Sequence, residues 1–252
     1  MRRTFVPGAY RPGATPVHGI DVRVKIVSLL VASAAAFAAP APRGLAVVAA
    51  GLLVALAASG TSPRRVLEAL RPALVILGVS LLANGIVLVG QPGISAEGLV
   101  RSATAIARIV IVVGLALVFS STTMPPAIAD GMAALMAPLA RLGVPVGGLS
   151  MAVSVALRFI PLASEEVERI RCAQRARGAR LDEGGVIRRL SGWGQVLVPL
   201  VVSLFRRADE LAAAMEDRCF TGEQTSMRGR LSYGDVAVLL GVAAWAACAL
   251  LA

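Results

Sequence analysis

Two segments of this chain carry an apolar stripe at helical spacing and end it in arginine. In residues 161–180, Val167, Ile170, Gln174 and Arg177 recur at intervals of three, four and three, which is one face of a helix. Glu165, Glu166 and Glu168 occupy the first turns and basic residues the last. Gly178 stands where a C-cap glycine would, so the spacing predicts a helix that stops at Arg177. In residues 201–220, Val201, Leu204, Ala208, Leu211, Met215 and Arg218 repeat at three, four, three, four and three. One arginine in a last turn says little, because it stabilises any helix by about 0.3–1 kcal/mol through the macrodipole. Two such ends look like two plugs offered to a soluble partner, since the planar guanidinium fork bonds carboxylates or carbonyls bidentately in a groove.

The remaining reactive side chains build no catalytic centre. His18 is the only histidine, and in a Pro/Gly-rich segment it is expected to be structural. Cys172, Cys219 and Cys248 are odd in number and lack metal-ligand spacing, so neither a disulfide framework nor a zinc site is expected. Asp130, Asp182 and Asp209 are too scattered for the metal-and-phosphate site of a membrane-embedded transferase. The chain has no phosphate-binding loop, so any ATPase is expected on other chains. Aromatics are 4% and the arginines sit between apolar runs, which argues against nucleic acid as a partner.

The elements that position the two arginines follow from composition. Of 252 residues 57% are hydrophobic and 16% charged, with a formal charge of +10 and a mean hydropathy of +0.77. That is too apolar for an ordinary soluble domain and excludes disorder. Apolar runs at 26–39, 44–58, 73–89, 103–119 and 236–252 predict five membrane spans, the first two close-packed and joined by a tight turn. The start of the chain has charge but no apolar stretch of signal-peptide type. Residues 1–120 hold 11 basic and 3 acidic residues, the rest 14 and 12. By the positive-inside rule the N-terminus lies in the cytoplasm and the loop from Gln91 to Gly98 outside.

Three regions result: an N-terminal segment with four spans over 1–120, a cytoplasmic or interfacial region over 121–234, and a last span over 235–252. The middle region holds 14 Arg and 11 Asp or Glu yet keeps apolar stretches, which predicts long amphipathic helices along the membrane face. Pro125-Pro126, Gly143 to Gly148, Gly184-Gly185 and Gly192 to Gly194 are expected to divide it into three or four helices. Asn84 is expected to bond a neighbouring helix, Arg108 to find a polar partner, and Arg158 to anchor at the interface. The alternative, a self-contained permease or channel, should show carboxylates within the spans or a broken-helix pair lining a path; Asp and Glu are absent from all five spans, and no broken pair is expected from the sequence. Seven methionines and many alanines suit adaptable helix packing.

These residues also carry a family resemblance. Ala173-Gln174-Arg175-Ala176-Arg177-Gly178 resembles the first Ala-Arg-Gly signature of the transmembrane T component of energy-coupling factor (ECF) transporters, the EcfT/CbiQ family, and Ala214-Met215-Glu216-Asp217-Arg218-Cys219-Phe220 resembles the second. Supporting pieces fall in the family's order: Tyr10-Arg11-Pro12-Gly13, Thr15, His18, Asp21, Arg23 and Lys25, then 138–145 and 156–161. The resemblance spans nearly the whole chain. It implies an all-α integral membrane protein of about five spans, with long amphipathic cytoplasmic coupling helices before the last one. It further implies a scaffold in the cell membrane linking two cytoplasmic ABC ATPases to a small substrate-binding S component for a vitamin or transition-metal ion. Ala176, Arg177 and Gly178, and Asp217, Arg218 and Cys219, would dock the ATPases, while Val167, Ile170, Leu204, Leu211 and Met215 would pack on the S component. This chain would bind no cofactor, ATP and magnesium belonging to the ATPases. Asp217 and Cys219 depart from the second signature. Without glycine that helix end is expected to be capped differently, and the two ATPases to be different chains or one docking site weaker.

Overall fold

The computed structural model describes residues 13, 15–40, 42–71, 78–79, 86–87, 93–94, 96–143, 146–179, 185–220 and 232–252. A short 3-10 turn at Pro16–Gly19 leads into α1 (Val22–Ala38) and α2 (Arg43–Ser59). Next come α3 (Pro63–Arg71), α4 (Ala96–Thr122) and α5 (Pro125–Met136). A 3-10 segment at Ala137–Leu142 precedes α6 (Val146–Ala176), α7 (Val186–Asp217) and α8 (Tyr233–Leu251). The one departure from helix is an antiparallel pairing of Ile86–Val87 with Gly93–Ile94 among the described residues. Ile86 and Val87, inside the run expected as a span over 73–89, belong to this pairing and not to a helix; the rest of that run, apart from residues 78–79, lies outside the described residues. Asn84 and Tyr10 to Pro12 lie outside the described residues.

By length and composition α4 from Gly98, α6 and α8 can each cross a bilayer, and α2 with α3 forms a pair bent by 111° that passes the same test together. The chain is thus a multi-pass, all-helical membrane protein. It divides into two compact units, residues 1–131 with 228–252 and residues 132–227.

In the first unit α1 and α2 are neighbours in sequence but scarcely pack on each other; both pack on α4 and α8. The expectation of two close-packed spans is corrected, and glycines are the reason. A Cβ at Gly44 would collide with the carbonyl oxygen of Ala249, and one at Gly51 with the Trp245 ring. One at Gly114 would lie 2.9 Å from Leu52. Small residues that let helix backbones approach are the chief source of helix association in lipid. The core so formed includes Ala36, Val48, Leu52, Ile111, Val118 and Ala249. Trp245 Nε1 donates to the Val47 carbonyl at 3.1 Å.

Polar groups fasten the ends of this unit. Asp21 caps α1 by accepting from the Arg23 N–H, and the Asp21 N–H donates to Asp235, itself part of the capping box that starts α8. The Thr15 hydroxyl and His18 Nδ1 are 2.6 Å apart, consistent with a structural histidine. Arg108 reaches a polar partner as expected: its Nη2 donates to the Ala39 carbonyl, beyond the end of α1, at 2.9 Å.

Candidate functional site

The two arginine-ended helices make up most of the second unit. Two sequence expectations about their length are corrected. Glu165, Glu166 and Glu168 lie past the middle of α6 and not in its first turns, because the helix begins at Val146 and runs through Pro161, although an interior proline costs about 3 kcal/mol. Charge pairs in the following turns, Arg169 to Glu166 at 3.1 Å and Arg171 to Glu168 at 3.0 Å, and packing on α7 sustain the helix beyond it. Likewise Gly192 to Gly194 do not interrupt α7, because packing acts at that point: Trp193 lies 5.6 Å from the Arg171 guanidinium, and Gln174 donates to the Gln195 carbonyl. Pro125 does begin α5, and Gly143 does adopt a left-handed turn with φ 85°.

The helices run antiparallel. Gln174 meets Gln195 at 3.4 Å, and further back along α6 Glu166 meets Arg207, further forward along α7, at 3.7 Å. The two C-terminal arginines therefore point to opposite ends of the pair. Arg218 lies 23 residues beyond Gln195, roughly 35 Å along α7 at about 1.5 Å per residue. No single small ligand spans that distance.

Both ends are built alike. At α6 the Gly178 N–H donates to the Arg175 carbonyl at 3.0 Å and the Ala179 N–H to the Gln174 carbonyl at 2.9 Å, with Gly178 at φ 84°. At α7 the Cys219 N–H donates to the Glu216 carbonyl at 2.9 Å and the Phe220 N–H to the Met215 carbonyl at 3.0 Å, with Cys219 at φ 51°. Each is a Schellman motif, with Arg177 or Arg218 as the C-cap residue and the next residue left-handed. The expectation that loss of glycine changes the cap is thereby corrected: the cap is the same, and Cys219 adopts the strained conformation. It is the sole non-glycine residue with positive φ among those described. Such a conformation costs an L-residue roughly 1–2 kcal/mol.

Ala176, Arg177, Gly178, Asp217, Arg218 and Cys219 are all exposed. The Arg177 and Arg218 guanidiniums have no partner among the described residues, whereas Arg169, Arg171 and Arg207 are engaged with carboxylates or an aromatic ring. The ends differ in charge: Arg177 follows Arg175, while Arg218 follows Glu216 and Asp217. Arg158 is exposed on α6 between its apolar and charged halves.

The five residues expected to pack on an S component lie elsewhere than on the open surface. Val167, Ile170, Leu204, Leu211 and Met215 are half-buried, on the stripes of α6 and α7, which pack on each other. Exposed apolar side chains include Leu197, Val198, Val201, Val202 and Phe205 on α7, and Leu149, Val153, Ile160 and Leu162 on α6. Sequence periodicity finds a stripe but cannot tell which of two apolar faces a neighbouring helix covers. Among the described residues no cluster of three or more His, Cys, Asp or Glu could hold a metal ion.

The family model CbiQ, cobalt transport protein, matches residues 13–227, from before α1 to beyond both arginine caps. The chain belongs to the CbiQ family. Among curated relatives, the energy-coupling factor transporter transmembrane protein EcfT of Thermanaerovibrio acidaminovorans is 41% identical over 224 residues, 85% of this chain and 82% of its own length. The EcfT of Heliobacterium modesticaldum is 34% identical over 255 residues, covering 96% of this chain and 95% of its own. A putative ABC transporter ATP-binding protein of Bifidobacterium longum is 34% identical over 217 residues, 83% of this chain but 28% of that longer protein. This CbiQ-family chain is a transmembrane component of an ECF transporter and not its catalytic subunit.

Proposed function

We propose that this chain is the scaffold of an ECF-type importer in the cell membrane. It would couple two cytoplasmic ABC ATPases to a substrate-binding S component by inserting Arg177 and Arg218 into one groove on each ATPase. The observation that carries this reading is the matched pair of C-caps. Both present an exposed, unengaged guanidinium at the same position of the same turn, on antiparallel helices that hold the two roughly 35 Å apart. A rigid helix pair of this kind converts movement of two separate partners into rotation or spreading of one body. Catalysis, and with it ATP and magnesium, belongs to the partners; the relative that joins a similar sequence to a protein named as ATP-binding supports that pairing. The charge difference between the ends favours two different ATPase chains, or weaker docking at Arg218.

The exposed row from Leu197 to Phe205 suits the S component better than the half-buried stripe. The cargo, a vitamin or a transition-metal ion, is selected by the S component. The N-terminus lies in the cytoplasm by charge asymmetry. The test is the double substitution Arg177→Glu with Arg218→Glu in the tagged full-length chain, recovered from membranes of its own host. Loss of ABC ATPases from the purified complex, with the chain still monodisperse, is expected; ATPases retained at the wild-type ratio would overturn the reading.

A further inference from the structure

Four helices of the first unit, α1, α2, α4 and α8, line an open-sided cavity of about 670 Å³. It exists because positions facing it are small, including Ala32, Ala50, Ala58 and Gly241. A Cβ added at Gly241 would meet nothing within 4 Å. The wall is hydrocarbon apart from a few groups, and two of these are successive on one face of α1.

Lys25 is 8% exposed, and its Nζ donates to the carbonyls of His18 at 3.5 Å and Thr122 at 3.2 Å. An ammonium carries three donors, so one remains. Asp21 lies near enough to act on Lys25 through space, but no carboxylate among the described residues forms an ion pair with it. Ser28, three residues on, has a buried hydroxyl with no partner among the described residues. Leu29 and Ala32 continue the wall. From Lys25 to Ala32 the lining therefore passes from cation to hydroxyl to hydrocarbon over roughly 10 Å of helix. Buried cations and hydroxyls are costly unless something satisfies them, and a stretch of this order matches the anatomy of a phospholipid: phosphate, ester carbonyl, acyl chain.

We propose that the cavity holds one acyl chain of an anionic phospholipid, with its phosphate on the Lys25 ammonium and an ester carbonyl accepting from the Ser28 hydroxyl. Lys25 sits where α1 begins and where α2 and α4 end, beside Ala58 and Thr122. This is the basic end of the spans, so the lipid comes from the cytoplasmic leaflet; that assignment rests on the topology proposed above, whereas the site itself does not depend on ATPase docking.

Trp245 lines the cavity and is one of two tryptophans, so the Trp193→Phe chain carries a single reporter. The full chain is reconstituted in phosphatidylcholine vesicles with rising fractions of phosphatidylglycerol brominated on its acyl chains, and Trp245 fluorescence is read. Saturable quenching is expected, with brominated phosphatidylcholine needing roughly tenfold more lipid for the same effect, as a charge-assisted hydrogen bond implies. Lys25→Gln should abolish the preference and Lys25→Arg keep it, while Gly241→Phe should remove the saturable component by filling the space. Linear quenching alike for both lipids would overturn the proposal. So would saturable quenching with no head-group preference, which would show an apolar cavity indifferent to phosphate. The comparison of the two lipids on the Trp193→Phe chain decides the matter even where a further variant fails to fold.

Discussion

Gly178 sets the turn that presents Arg177, so its replacement should disable one docking site. A Cβ there would meet nothing within 4 Å, so Gly178→Val acts chiefly through the backbone. Gly178 has φ 84°, a conformation that costs an L-residue roughly 1–2 kcal/mol. If the turn opens to escape that cost, the bonds at 3.0 Å to Arg175 and 2.9 Å to Gln174 are lost with it, each contributing about 1 kcal/mol net. Either route disfavours the capped state by roughly 2 kcal/mol, close to thirtyfold in population. Arg177, whose backbone is the hinge of that turn, then no longer holds one orientation. Affinity of the detergent-solubilised chain for its purified ATPases should fall about tenfold to thirtyfold, with little change in the thermal midpoint of the membrane bundle. Cys219→Gly should act in the opposite sense at the other helix. It relieves the strain at φ 51°, offset in part by the greater unfolded-state freedom of glycine, for a net gain of up to about 1 kcal/mol. Binding measured by surface-immobilised chain against each ATPase separates the two ends. The reasoning is refuted if Gly178→Val binds both ATPases within twofold of wild type while Arg177→Glu does not.

Two further substitutions test the membrane bundle. Arg108→Met removes the donor at 2.9 Å from the Ala39 carbonyl and should lower stability by about 1–2 kcal/mol; an unchanged thermal midpoint in detergent would show that the bond contributes nothing. Gly44→Val places a side chain where even a Cβ collides with the Ala249 carbonyl oxygen. It should force α2 and α8 apart at a cost of about 1–3 kcal/mol, seen as a lower midpoint that Cys248→Ala, an exposed neighbour on α8, does not reproduce.

Much of this protein was legible in one dimension. Composition and apolar run length establish a multi-pass helical membrane protein, because crossing hydrocarbon requires long stretches in which backbone groups bond internally. The helix end at Arg177 was also legible, since a cap is local: basic residues precede it and a glycine able to turn left-handed follows. At Arg218 the end of the apolar stripe was legible but the cap was not. Arg108 was marked for a polar partner by its charge within an apolar run, but which carbonyl receives it depends on where α1 ends in space.

What the sequence could not decide concerns relations between distant segments. Gly192 to Gly194 read as a break, and the acidic residues after Pro161 as a helix start, because intrinsic propensity is a local quantity, whereas α6 and α7 persist through these points by contacts made across the helix pair. The same pairing decides that Val167, Ile170, Leu204, Leu211 and Met215 are half-buried and that Leu197 to Phe205 lie open. It also sets the antiparallel direction that carries the two arginines to opposite ends. The cap at Cys219 shows both levels at once: hydrogen-bond geometry at the helix end demands a left-handed residue, and the backbone adopts that turn even where the side chain opposes it. Thus the sequence by itself determines the elements, their caps and their solvent, through short-range sterics and transfer of apolar side chains. Only the tertiary structure decides which faces meet, because close approach of two helices depends on small residues and polar partners contributed by segments far apart in the chain.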